Sequence, residues 1–200
     1  KEENYKRNFI ILLTRYGNIG YFDYNQRKID LTLVRGIEHK FFKKQEELYK
    51  SIMMFYKTQN YCKVFLAGPP GSGKTFFSYL MAQKLDCYLC DTYDPYLPSS
   101  SFMEVYNSCK VKPEKPLIIV LDEVDILLNK IMTRQAQTHE KYCREIHDKL
   151  SWNNFMDKID YGLYPYVIFV MNSNLSKDTV MGETDPSLLR NGRIDISVEW

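Results

Sequence analysis

The chain has 200 residues, 44% of them hydrophobic and 26% charged, with a formal net charge of +2 at pH 7. That suffices for one packed domain with an appendage and excludes two full-sized ones. Near-neutral charge gives no bulk reason for a nucleic-acid partner, no apolar run has the length of a membrane span, and five scattered cysteines speak against a disulfide framework. Residues 8–34 carry hairpin signals: an apolar strand, the turn-prone Gly17-Asn18-Ile19-Gly20, then β-prone segments interrupted by Asn25-Gln26. After Gly36 the pattern becomes helical, with Leu48, Ile52, Phe55 and Tyr56 on one face. From Val64 strands and helices alternate, which predicts an α/β fold with a parallel sheet flanked by helices.

Five core strands are predicted at 62–67, 86–91, 117–121, 166–171 and 194–198, and the first is followed by a helix over 75–85. Between 129 and 160 the sequence reads as mostly helical, with Ser151 as an N-cap and Trp152, Phe155, Met156 and Ile159 at helical spacing. The chain divides into a β-hairpin-rich extension, 1–35, and an α/β unit, 36–200. The extension reads either as an adaptor or interaction element or, preferred here, as a strand extension that covers one edge of the sheet.

Between the first strand and its helix stand Gly68, Pro69, Pro70, Gly71, Ser72, Gly73, Lys74 and Thr75, which fill the Walker A template G-x-x-x-x-G-K-[ST]. A loop of small residues lets backbone N–H groups face phosphate oxygens, and the helix presents its positive end to them. Lys74 is assigned to the β- and γ-phosphates and Thr75 to Mg²⁺. The run 117–121 ends in Asp122-Glu123, the Walker B arrangement, in which Asp122 joins the metal shell and Glu123 polarises the attacking water. The strand 166–171 ends in Asn172-Ser173-Asn174, where an amide could hold that water from the other side or simply serve the turn. Arg190 and Arg193 flank a glycine near the end; they read either as guanidinium groups for a transition state or as surface ion-pair partners.

Two other constellations invite a metal reading. Cys87 and Cys90 sit three apart in a predicted strand and so face opposite sides. His139, Cys143 and His147 fall at i, i+4 and i+8, and a solvated helix face is the preferred reading. Reduced thiols imply a cytosol-like compartment. A start at Lys1 rather than Met reads as a piece of a longer protein, and abundant Lys, Asn, Ile and Tyr fit an AT-rich coding genome of viral or protist type.

In order and register these motifs resemble the AAA family of P-loop ATPases, over roughly residue 36 to the end. The stretch from Ser151 to Arg193 is most similar to the Bcs-type branch. The resemblance implies the AAA+ large subdomain without its helical lid, Mg²⁺-dependent ATP hydrolysis, and a homo-oligomeric ring, hexameric or heptameric, that remodels or translocates a protein. It makes Asp125 the family's further acidic residue and Asn174 the first sensor. Arg190 and Arg193 become arginine fingers that reach a neighbour's nucleotide. Two departures stand out: Asn191 replaces a proline between the arginines, and 93–98 offers aromatics without glycine where many members carry a pore loop. Adenine contacts are expected near Gly36-Ile37. The alternatives are a DNA-processing AAA+ machine of the clamp-loader or helicase-loader type, which lacks support from any basic and aromatic strand-binding cluster, and a nucleotide-binding scaffold without turnover.

Overall fold

A computed structural model describes residues 9–33, 40–133 and 141–200. The strands are β1 (Phe9–Asn18), β2 (Tyr21–Asp30), β3 (Tyr61–Ala67), β4 (Tyr88–Cys90), β5 (Leu117–Leu121), β6 (Val167–Ser173) and β7 (Ile196–Glu199). The helices are α1 (Lys43–Gln59), α2 (Lys74–Leu85), α3 (Phe102–Asn107), α4 (Val124–Thr133), α5 (Lys149–Asp160) and α6 (Lys177–Glu183). The strands form one seven-stranded sheet in the order β2-β1-β4-β5-β6-β3-β7, in which only β2 runs antiparallel to its neighbour.

The apolar runs are continuous because both faces of the sheet are covered. Along β3, Val64 and Leu66 pack with α1 and α2 residues such as Ile52 and Phe77, while Phe65 and Ala67 join a second cluster with Trp152 and Phe155 of α5. The same alternation continues through Ile118 and Ile119 of β5 and Ile168 and Phe169 of β6. Cys87 and Cys90 fall into opposite clusters, and burial pushes both thiols up, that of Cys90 to about 11.

The hairpin continues the main sheet. Ile11, Leu12 and Leu13 pair in parallel with Tyr88, Leu89 and Cys90, and Gly20 N–H donates to Ser99 Oγ at 2.9 Å. Several local expectations shift. Asn25-Gln26 lies inside β2, since Gln26 pairs with Leu13 and its side chain reaches the Ser108 carbonyl. The second core strand shrinks to Tyr88–Cys90 because Asp86 caps α2 at φ 49°. The cap of α5 is Asp148, which accepts from the Ser151 N–H while Ser151 Oγ takes the Asp148 N–H, so Ser151 is the far half of a capping box. Residues 141–148 are not helical, which removes the predicted helix face from Cys143 and His147; His139 lies outside the described residues, as does Gly36-Ile37. Among the described residues no group of three or more His, Cys, Asp or Glu could hold a metal ion, and no helix is long and apolar enough to cross a membrane.

One buried charge ties the far end of the sheet together. Lys63, fully buried at the start of β3, donates to Asp160 at the end of α5 and to the Gly192 carbonyl at 2.9 Å. Its backbone N–H donates to Asp195 Oδ2 at 2.7 Å, and its carbonyl accepts the Asp195 N–H at 2.9 Å. Burial outweighs these contacts and pushes the Asp195 carboxyl from its ordinary 3.8 up to about 6, with Lys63 opposing the rise and Asp160 adding to it. A carboxyl raised on folding stabilises the fold while protonated and loses that contribution as pH rises through its folded value. Between about pH 7 and about pH 4, falling pH should therefore favour the wild type over Asp195→Asn. Denaturant midpoints of the two proteins across that window should diverge in this sense; parallel curves would refute the assignment.

Candidate functional site

The parallel register brings three strand ends together, those of β3, β5 and β6. Leu66 lies beside Asn172 and Ala67 beside Ser173, while Leu121 lies beside Met171. Phosphate loop, Asp122 and the Asn172–Asn174 corner thus emerge on one edge of the sheet. The loop is tied to β6 by the Gly68 N–H, which donates to the Ser173 carbonyl at 3.1 Å. It closes with Gly73 at φ 90°, a left-handed conformation suited to glycine, and α2 begins there with no side-chain cap. Helix starts of this kind leave first-turn N–H groups for an anion.

Lys74 Nζ donates to the carbonyls of Gly68 at 2.6 Å and Pro69 at 3.0 Å, and lies 3.4 Å from Asn174 Oδ1. Burial pulls this ammonium below the usual lysine range, against the attraction of Asp122 and Asp125. Thr75 Oγ1 donates to Asp122 Oδ1 at 3.0 Å, and Asn172 Nδ2 donates to the same oxygen at 2.6 Å. The hydroxyl and carboxylate expected to share a cation therefore already meet. Glu123 is exposed and held at φ 52°, left-handed for a non-glycine residue, with its carbonyl accepting from Ile126 and Leu127. Such backbone costs about 1 kcal/mol or more and concentrates at sites where a side chain must be aimed.

Three buried oxygens around this edge have no hydrogen-bond partner: Ser72 Oγ, Asp125 Oδ1 and Asn172 Oδ1. Unpaired buried polar atoms are uncommon, and these line a cradle of hard oxygen and N–H groups. That donor set suits a phosphate chain with a hard divalent cation, for which Thr75 and Asp122 are the direct candidates.

The remaining predicted residues separate. Arg190 is exposed, but Arg193 is 5% exposed, its Nη1 donating to the Ser187 carbonyl and its Nη2 standing 3.6 Å from Asp157. Where the sequence reading sends both arginines to a neighbour, the Arg193 guanidinium is buried against Ser187 and Asp157 of its own chain, with its Nε unpaired. The aromatic segment at 93–98 also departs from an open loop: Tyr93 is buried, with its hydroxyl donating to Glu145 at 2.7 Å.

Two residues escaped the sequence reading. Asn172 looked like turn chemistry, yet it is the last buried side chain on its face of β6 and steers Asp122; a polar residue closing an apolar strand beside a Walker B pair was its signal. Trp200 Nε1 donates to the Ser72 carbonyl at 2.6 Å, a contact across 128 residues for which the sequence carries no signal.

Residues 64–200 match the family described as "ATPase family associated with various cellular activities (AAA)". The chain is 30% identical over 141 residues to a probable 26S proteasome regulatory subunit 10B of Caenorhabditis elegans, covering 67% of this chain and 32% of that protein. It is 28% identical over 148 residues to the ATP-dependent zinc metalloprotease FtsH 3 of Sphaerobacter thermophilus, covering 68% and 26%, and 27% identical over 143 residues to a 26S proteasome regulatory subunit S10B homologue of Arabidopsis thaliana, covering 68% and 33%. The chain thus spans a third or less of the curated relatives it matches. Among solved structures it is similar to the Thermotoga maritima RuvB Holliday junction branch migration motor, at 15% identity and a TM-score of 0.49 over 80% of this chain and 45% of that one.

Gly68 packs against the end of the chain: a Cβ there would stand 2.8 Å from Trp200 Cβ and 3.3 Å from Ser72 Oγ. Gly68→Ala should cost about 1–3 kcal/mol through this overlap, read as a lowered thermal midpoint, and Trp200→Gly in the same chain, which removes that Cβ, should recover part of the loss. An unchanged midpoint in Gly68→Ala would contradict the close approach.

Proposed function

The chain belongs to the AAA family of ATPases, and on that premise we propose that it binds ATP with Mg²⁺, hydrolyses the γ-phosphate within a homo-oligomeric ring, and uses the turnover to remodel or translocate a protein. The observation that carries the reading is the convergence of Lys74, Thr75, Asp122 and Asn174 on one sheet edge. Proteasome and FtsH relatives support the protein substrate, because their names place them in protein-degrading assemblies. The Bcs-type resemblance and a hexameric or heptameric ring belong to the same proposal.

Loop N–H groups and Lys74 would bind the phosphates, with Lys74 leaving the Gly68 and Pro69 carbonyls to do so. Mg²⁺, held by Thr75 and Asp122, would neutralise charge developing on the phosphate oxygens. Asn172 keeps the Asp122 carboxylate in place. Glu123 orients and polarises the attacking water and takes its proton, and Asn174 holds the reacting groups in line.

Arg190 fits action on a neighbouring subunit for a geometric reason. The loop that carries it enters β7 at Asp195, which is hydrogen-bonded to Lys63 at the start of β3, while the phosphate loop leaves the other end of that strand. Five residues of strand at about 3.3 Å each place roughly 15 Å of sheet between the two ends. Arg190 itself is exposed, as action on a neighbouring subunit requires.

Glu123→Gln should bind nucleotide yet lose turnover by about 10²–10⁴-fold, measured as phosphate release per subunit; full turnover would remove the hydrolytic reading. Arg190→Ala should also be inactive alone, by about 10³-fold or more, yet regain activity when mixed with Glu123→Gln, whose intact Arg190 would serve the other's intact site. Mixtures no more active than the sum of their parts would exclude a finger acting between subunits.

A further inference from the structure

Trp200 meets the phosphate loop and the elements on either side of it in four ways. Its N–H donates to the Ala67 carbonyl at 2.7 Å, which extends the β3–β7 ladder to the first loop residue. Its Cβ occupies the space that a side chain at 68 would need. Its ring lies edge-on to Phe77 of α2, with centroids 5.3 Å apart and planes at 60°. Its indole N–H donates to the Ser72 carbonyl at 2.6 Å. Trp200 thus bridges the strand before the loop and, through its indole, the loop and the helix after it.

The last contact fixes an otherwise undetermined choice. In a trans peptide the carbonyl and the N–H of one unit point in opposite directions. With the Ser72 carbonyl held against the indole, the Gly73 N–H is turned away from it. Gly73 at φ 90° imposes no steric preference, since glycine takes either sign of φ at similar cost. The 72–73 peptide could therefore rotate and present its oxygen where its N–H now stands, and an oxygen there repels an anion that the N–H attracts.

We infer that Trp200 is a positioning residue of the phosphate loop: its indole N–H selects the orientation of the 72–73 peptide that offers the Gly73 N–H to a nucleotide phosphate. The inference rests on the nucleotide-binding reading above and adds a residue to it. Phe77 transmits the same contact to α2 one turn beyond Lys74 and Thr75. Phosphates entering the loop should in turn alter the surroundings of the indole.

Trp200→Phe in the full-length protein keeps the ring against Phe77 and removes only the N–H donor. ADP and ATP binding, measured by calorimetry, should weaken about three- to tenfold, the range for one lost hydrogen bond, and KM should rise more than kcat falls. A purely structural role would lower the thermal midpoint and leave affinity intact. Tryptophan emission gives a second readout: nucleotide addition should change it in the wild type and in Trp152→Phe, and the part of that change due to Trp200 should be missing in Trp200→Phe. Trp152 is fully buried and engaged with the Leu188 carbonyl at 3.1 Å. Wild-type protein that binds nucleotide while Trp200→Phe binds it equally well would overturn the inference and spare the ATPase reading. Wild-type protein that binds no nucleotide would overturn both. Should Trp200→Phe fail to fold, an unchanged emission spectrum on nucleotide binding to Trp152→Phe would still refute the contact.

Discussion

Parallel pairing of β3, β5 and β6 is the constraint on which the site depends. In a parallel ladder all carboxyl ends leave on one side, so the loop after β3, the carboxylates after β5 and the amides after β6 meet without any long connection. A slip of one residue in β6 would turn Asn172 to the opposite face and strip Asp122 of a partner. The burial of both faces protects against that slip, because a shifted β6 would exchange the residues offered to the α1–α2 layer and the α5 layer. Site geometry is thus guarded by the whole core.

The opposite end of the sheet is organised by charge. Lys63 is buried without exposure, and an isolated ammonium there would cost several kcal/mol. Asp160, the Gly192 carbonyl and the neighbouring Asp195 compensate it, and Arg193 pairs nearby with Asp157 on the same helix. Such networks add little net stability over an apolar filling, but they are demanding in geometry. The consequence is a loop from Asp185 to Asp195 fastened at both ends: Lys149 pairs with Asp185 at its start, and Lys63 holds its finish. Arg190 stands exposed on a rigid mount.

Legibility in the sequence followed locality. Residues 117–121 were read to the residue, because a buried parallel strand is an unbroken apolar run, and the helix with Trp152, Phe155, Met156 and Ile159 declared itself by spacing. The phosphate loop and Asp122-Glu123 were legible because their chemistry restricts residue types at fixed offsets. Contacts made across the fold left no such trace. Asn172 lies buried within β6 while Asn174 is exposed just beyond its end, and Trp200 owes its place to a pairing with Ala67. The two arginines looked equivalent on paper, and burial next to Asp157 distinguishes them. Cys143 and His147 share a helical spacing without a helix, since the capping box at Asp148 starts α5 only after them.

The exposure of Arg190 bears on how copies of this chain would associate. If the arginine of one subunit completes the site of the next, the two contacting surfaces differ, since one carries the phosphate loop and the other Arg190. An interface of unlike surfaces cannot satisfy itself in a twofold dimer; it repeats head to tail and either closes into a ring or runs on as a filament. Closure then rests on the angle between the two surfaces, which in this chain is set by how β7 and its loop sit on β3. Lys63 and Asp195 fix that seat from below, and Trp200 fixes it from above against the phosphate loop. β7, only four residues long, is thereby pinned at both ends, so a displacement of the loop by nucleotide would be felt along the strand toward the mount of Arg190.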